Sequence, residues 1–114
     1  MANKVDLRTR ALRTIGWHSE GEVLSAYAAE QADLVIDEAQ AFLEGEGIAY
    51  WSLNDIPEAA MFGLVDYVAG RLARRLKSGD EAAQYATLVQ VGLQNMRRHT
   101  SNRSISAPVQ SEYF

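Results

Sequence analysis

Cysteine is absent from the chain, and proline and histidine occur only twice each in its 114 residues. Without cysteine there are no disulfides and no thiolate metal sites, which suits synthesis in a reducing cytosol. No apolar run approaches the ~20 residues that cross a bilayer, and the polar N-terminus has no apolar core, so we expect neither a membrane span nor a signal peptide. The 47% of hydrophobic residues predicts one small globular domain.

The usual signatures of catalytic and cofactor sites are missing as well. His18 and His99 are far apart in the sequence, and no HExxH or HxxxH spacing supports a zinc site. The glycines form neither a P-loop nor a GxGxxG turn, and no serine stands in a recognisable nucleophile motif. We therefore expect no enzyme activity, no cofactor and no metal, and we expect both histidines to be exposed.

The charges are segregated along the chain, although the formal net charge is only −4. Residues 14–70 contain eleven acidic residues and neither lysine nor arginine, and all eleven basic residues lie outside this range. Such clusters are typical of solvated faces. They also suit attraction between opposite ends of neighbouring copies, or a wall that repels polyanions. With a pI near 5.1, the chain lacks the basic surface of a general nucleic-acid-binding protein.

Apolar spacing predicts four helices and an all-α fold. The first runs from Val5 to Ile15 after an Asn3 cap, and Gly16 stops it. The second follows Ser25 and ends at "GEG" in 45–47, and "IAYWSLND" then forms a strand or an extended segment. The buried stripe of the second helix is predicted at Ala28, Ala32, Val35, Ala39 and Phe42.

The third predicted helix follows a cap at Asn54 or Asp55 and has Pro57 in its first turn. The fourth begins at an Asp80 cap and ends at Arg97 and Arg98, and its buried positions are Ala82, Ala86, Val89, Leu93 and Met96. From Thr100 the periodicity is lost, and the segment cannot bury enough of itself to be ordered alone. We therefore predict a small four-helix bundle over residues 1–99 and an extended C-terminal arm over residues 100–114.

The first predicted helix places a cation, Arg8, inside its own apolar face, which consists of Val5, Leu7, Ala11, Leu12 and Ile15. We interpret this face as an assembly surface where an acid of a neighbouring copy pairs with the planar guanidinium. The alternative is that Arg8 lies at the edge of the face and its side chain reaches water. Arg71, Arg74 and Arg75 are predicted to belong to the subunit interface too.

Two stretches resemble a known family. "VDLRTRALRTIG", with a Gly/Glu/Ser loop and an alanine-rich acidic helix opened by Ser25, is similar to the beginning of the head-to-tail adaptor proteins of tailed phages. These are also called head-completion or packaged-DNA-stabilisation proteins, of the tail-accessory type. "IPEAAMFGLVDYVAGRLARRL" resembles their next helix. The resemblance extends over approximately residues 5–98 and rests on helix patterns. The chain departs from many members of the family in having a shorter segment between the second and third helices.

The resemblance implies a structural subunit of the virion, made in the bacterial cytoplasm and placed at the head–tail interface. Such subunits form a twelve-fold homo-oligomeric ring below the portal protein, extend the DNA channel without reading its sequence, and hold the tail or a further head-completion protein. In the family the C-terminal segment reaches into the portal. Portal contacts are therefore expected at Ile105, Ser106, Pro108, Val109, Tyr113 and Phe114.

The carboxylates Glu30, Asp33 and Asp37 lie close together on the second predicted helix. In an adaptor ring we expect them to face the channel, because an acidic wall does not hold the passing DNA. Two other functions stay open. A small helical DNA-binding or packaging factor would place the first helix and the basic residues of 71–77 on phosphates. A small enzyme or cation-binding bundle would use the carboxylates of the second helix.

Overall fold

The computed structural model describes residues 2–17, 25–77 and 79–106 of the chain. Within these ranges the predicted all-α fold is confirmed, with four longer helices and one short helix: α1 (Lys4–Thr14), α2 (Ala26–Gly45), α3 (Glu58–Leu76), α4 (Gly79–Ala83) and α5 (Ala86–Ser106). No helix in this part of the chain combines the length and the apolar character that a membrane crossing requires.

The central element is α3. The helices α1, α2 and α5 all pack against it, and α1 also packs against α2. The side of α3 that faces the core carries the buried residues Met61, Leu64, Val65, Val68 and Leu72. Leu76 is partly buried against the same core. The bundle core therefore forms around one amphipathic helix, which is the usual source of helix stability in a small domain.

Glycines let α3 and α5 approach each other backbone to backbone. A Cβ atom on Gly92 would overlap the Gly63 carbonyl oxygen and lie 2.6 Å from the Tyr67 backbone nitrogen. A Cβ atom on Gly70 would lie 2.7 Å from a methyl group of Val89. Only glycine fits such a crossing, so these positions fix the distance between the two helices.

The ends of α1 and α2 follow the predicted signals. Asn3 and Asp6 form a capping box at the start of α1, and the Ser25 side chain accepts a hydrogen bond from the Ala28 N–H at the start of α2. Gly16 and Gly47 have φ of 72° and 75°, the left-handed conformation that ends a helix and favours glycine. These boundaries are set by local chemistry.

Three helix boundaries differ from the prediction. The N-cap of α3 is Pro57, which makes no side-chain cap, so the predicted cap at Asn54 or Asp55 is wrong. The predicted fourth helix is divided into α4 and α5 by a turn at residues 84–85, and Asp80 lies inside α4. The α5 helix continues through Ser106, so the first seven residues of the predicted extended arm are helical.

Two predicted core positions are exposed instead. Phe42 is 42% exposed, and Leu43 beside it is buried in its place. Ala86 is exposed at the start of α5. Both errors come from reading a stripe at fixed steps of three and four, because the buried side of a helix drifts when its neighbours cross at an angle.

The segment between α2 and α3 is extended rather than a regular strand. An isolated bridge joins Ala2 to Ile56, with the Ile56 N–H donating to the Ala2 carbonyl at 2.7 Å. The buried Gln40 side chain donates to the Trp51 carbonyl oxygen at 2.9 Å. These bonds hold the segment against the start of α1 and against α2, and its residues Ile48, Trp51 and Ile56 contribute to the core.

Candidate functional site

The partner of Arg8 lies in the same chain. Its Nη1 atom is 3.3 Å from Oδ2 and 3.4 Å from Oδ1 of Asp33 on α2, and the two side chains are 24% and 37% exposed. The Nε atom of Arg8 is buried without a hydrogen-bond partner. Asp33 of the same chain is therefore sufficient to pair with the cation in the apolar face of α1, and no neighbouring subunit is needed. The interface role of Arg8 stays a prediction.

The predicted acidic face of α2 is largely used within the bundle. Asp33 pairs with Arg8, and Asp37 accepts a hydrogen bond from the Lys4 ammonium at 2.8 Å. Glu30 is exposed at the same side of the helix. Because α1 compensates two of the three negative charges, this face is less acidic than the sequence suggested, and its position toward a channel stays a prediction. No group of three or more His, Asp or Glu side chains within residues 2–17, 25–77 and 79–106 could hold a metal ion.

The predicted interface arginines Arg71 and Arg75 converge on one carboxylate, Glu38 of α2. The Arg75 Nη2 atom lies 3.2 Å and 3.3 Å from the two Glu38 oxygens, and the Arg71 Nη2 atom lies 3.8 Å from one of them. Arg71 also donates to the Tyr67 hydroxyl at 2.9 Å, and its guanidinium stands over the Tyr67 ring. These contacts hold the two guanidinium groups at the C-terminal end of α3.

A cleft of about 480 Å³ opens beside these arginines, between α2, α3 and α5. We call it the arginine cleft, and its lining consists of Val35, Glu38, Arg71, Arg74, Arg75, Ala86, Val89 and Gln90. The cleft therefore brings three arginines and one carboxylate together beside the apolar side chains Val35, Ala86 and Val89. Sequence reasoning grouped the three arginines but missed the cleft, because α5 contributes a wall of it from a distant part of the chain.

A second cleft of about 390 Å³ lies between α1 and α3, lined by Arg10, Arg13, Thr14, Phe62, Val65 and Asp66. Burial raises the pKa of the Asp66 carboxyl above its ordinary value of 3.8. Phe62 is 74% exposed, which is unusual for a phenylalanine. We call Phe62 and the cleft beside it the α3 surface.

Another exposed apolar surface lies on α2. Tyr27 is 59% exposed and Leu34 is 45% exposed, and their spacing of seven residues puts them on one face of the helix. We call this pair the α2 surface. Sequence reasoning missed both surfaces, since it looked for apolar residues only on the predicted buried stripes. An aromatic residue on the polar side of a helix is the signal that would have found them.

The predicted portal-binding residues fall at the end of the described chain. Ile105 and Ser106 belong to α5, whereas Pro108, Val109, Tyr113 and Phe114 lie outside the described residues. Within α5, the Thr100 hydroxyl donates to the Ile48 carbonyl at 2.7 Å, and His99 Nε2 lies 2.7 Å from the Tyr50 hydroxyl. His99 is therefore half-buried and bonded rather than exposed as predicted, and Thr100 belongs to the bundle rather than to an arm. His18 lies outside the described residues.

We compared the chain with protein-family models, with curated proteins and with solved structures, and none of the three comparisons returned a match. The resemblance to phage adaptors therefore stays a prediction from the sequence.

Proposed function

We propose that this chain is a structural head-to-tail adaptor of a tailed phage. In this role it forms a homo-oligomeric ring below the portal protein, extends the DNA channel and presents a surface to the tail. The proposal is supported by the sequence resemblance and by an all-helical bundle in which α1, α2 and α3 lie where the resembling stretches predict helices.

The observation that carries the proposal is the pair of separate apolar surfaces on α2 and α3. Each subunit of a closed ring uses two different surfaces, one for each neighbour. Tyr27 and Leu34 lie on α2, while Phe62 lies on α3 beside α1. Large exposed apolar groups of this kind mark interaction sites, and covering one such side chain gains roughly 1.5–3 kcal/mol. Two such surfaces on one small bundle match the contacts of a ring subunit.

Introducing a negative charge into each apolar surface tests this assignment. Leu34→Asp and Phe62→Asp each place a charge in one surface, and Val91→Asp does the same at an exposed valine of α5, 45% exposed, as the matched control. We expect the first two variants to keep the melting temperature of the free chain and to lose co-sedimentation with the portal ring of the same phage. The control should bind normally. Equal binding by all three variants would contradict the assignment.

The DNA-binding alternative is weakened by the pairing of the basic residues. Arg71 and Arg75 share Glu38, and Lys77 lies 3.7 Å from Glu81 and near the Trp17 ring. These ion pairs reduce the positive charge that this end of α3 can offer to phosphates. A mobility shift of duplex DNA at moderate salt decides the matter: the adaptor role predicts no shifted band, and a sharp shift at low protein concentration would favour the DNA-binding factor.

A further inference from the structure

We propose that the arginine cleft binds an acidic segment of a protein partner, in which a carboxylate meets Arg74 and Arg75 and a neighbouring apolar side chain rests on Val35 and Val89. This inference goes beyond the adaptor role and does not depend on it, since the cleft is defined by the fold of one chain.

The first step is the charge balance of the cleft. Its lining contains Arg71, Arg74, Arg75 and a single carboxylate, Glu38, so the cleft is positive on a chain of net charge −4. Arg74 is exposed and makes no ion pair within the described residues. A guanidinium group offers a planar fork of donors that matches a carboxylate. The cleft thus has the capacity to receive a second anionic group.

The second step is the contact that Glu38 already makes. Both of its oxygens lie within 3.3 Å of the Arg75 Nη2 atom, and its side chain is half-exposed. Arg75 is therefore oriented toward a carboxylate before any partner arrives, which lowers the entropic cost of binding. Glu38 also competes with an incoming anion, because it holds the same donors. Its removal should strengthen anion binding if the cleft is a site of this kind.

The third step is the choice of a peptide over a nucleic acid. Val35, Ala86 and Val89 give the cleft apolar walls, and Gln90 adds an amide that can bond to a peptide backbone. No aromatic ring lines the cleft to stack on a base, which single-stranded nucleic acids require for affinity. The net charge of −4 also repels a polyphosphate, with its charge on every nucleotide, more strongly than a segment that carries only a few carboxylates. A short segment with both acidic and apolar side chains can pair with the arginines and also cover the apolar walls of the cleft.

The experiment is a titration of the isotope-labelled full chain, followed through backbone amide and arginine side-chain NMR signals. The probe is an acetylated and amidated hexapeptide of alternating leucine and glutamate. We expect saturable shifts confined to residues 35–38, 71–75 and 86–90, which line the cleft. Arg74→Glu and Arg75→Glu should each weaken the affinity by about tenfold or more, since a charge-assisted hydrogen bond is lost. Glu38→Gln should strengthen it.

Arg97→Glu and Arg98→Glu provide the matched control, because both are exposed arginines of α5 that do not line the cleft. Retained affinity in these variants supports a specific site, and an equal loss would show that net charge alone is responsible and overturn the proposal. Sodium sulfate that shifts the same signals as strongly as the peptide would show an adventitious ion site only. Tighter binding of a DNA duplex to these residues would overturn the choice of partner. Helical circular dichroism of each variant confirms that it is folded.

Discussion

At the scale of single residues, the described glycines with the least space for a Cβ atom lie where α3 crosses α5. In Gly92→Ala the new Cβ atom would meet backbone atoms of Gly63 and Tyr67, which no side-chain rotation relieves. We expect a loss of about 1–3 kcal/mol in the free energy of unfolding, as for other overpacked sites. Urea denaturation of the free chain measures it.

Gly45→Ala is the control for this substitution. Gly45 closes α2, its φ is not positive, and a Cβ atom there meets nothing within 4 Å. Alanine should therefore be neutral or stabilise the helix by up to about 1 kcal/mol. If Gly92→Ala were as harmless as this control, the two helices would not pack as closely as described.

The contribution of the Arg8–Asp33 pair to the free energy of unfolding can be measured directly. Both side chains are partly exposed, so we expect a coupling energy of about 0.2–1 kcal/mol between Arg8→Ala and Asp33→Ala. A double-mutant cycle in urea separates this pairing from the lost packing of the Arg8 stem. A coupling energy near zero, together with lost ring assembly in Arg8→Ala, would instead show that Arg8 pairs with a neighbouring subunit.

Asp66 gives the pH dependence that the fold predicts. Burial raises the pKa of its carboxyl, so the folded state holds this proton more tightly than the unfolded state does. Stability is therefore lost as pH rises from the ordinary pKa of 3.8 through the higher folded-state pKa. We expect Asp66→Asn to be more stable than the wild type at pH 7, with a gain that shrinks toward pH 3.8. A gain that grows on acidification would contradict this explanation.

At the scale of elements, the helix boundaries that could be predicted are those set by interactions within one turn of the helix end. The ends of α1 and α2 follow from Asn3, Ser25, Gly16 and Gly47, whose effects act within one helical turn. The length of α5 could not be predicted, because the sequence after Thr100 has no apolar period. Contacts of His99 and Thr100 with the distant segment 48–50 hold that part of the helix on the bundle.

Thr100 tests this anchoring. Its hydroxyl donates to the Ile48 carbonyl oxygen, so Thr100→Val removes one hydrogen bond while keeping the shape of the side chain. We expect a loss of about 1 kcal/mol and faster amide hydrogen exchange in residues 48–51. Thr87→Val, at an exposed threonine of the same helix, should change neither. Unchanged exchange in Thr100→Val would return residue 100 to the arm that the sequence predicted.

At the scale of the whole molecule, the fold class followed from helical periodicity, whereas the candidate surfaces did not. Arg8, Asp33 and Asp37 were singled out from the sequence, but their pairing across α1 and α2 depends on the packing of two helices. The arginine cleft needs α5, and the apolar surfaces of Tyr27, Leu34 and Phe62 appear only once the core is known. Side chains left outside a core can be recognised only after the core is assigned.

The central claim is that the chain assembles on a portal. Sedimentation velocity of the chain alone, of the portal ring of the same phage and of their mixture tests it most directly. We expect the chain alone to sediment as a monomer or weak oligomer, because its core is small and its surface is acidic. The mixture should yield one complex with one copy of the chain per portal subunit. Separate sedimentation of chain and portal at saturating concentration would contradict the adaptor role.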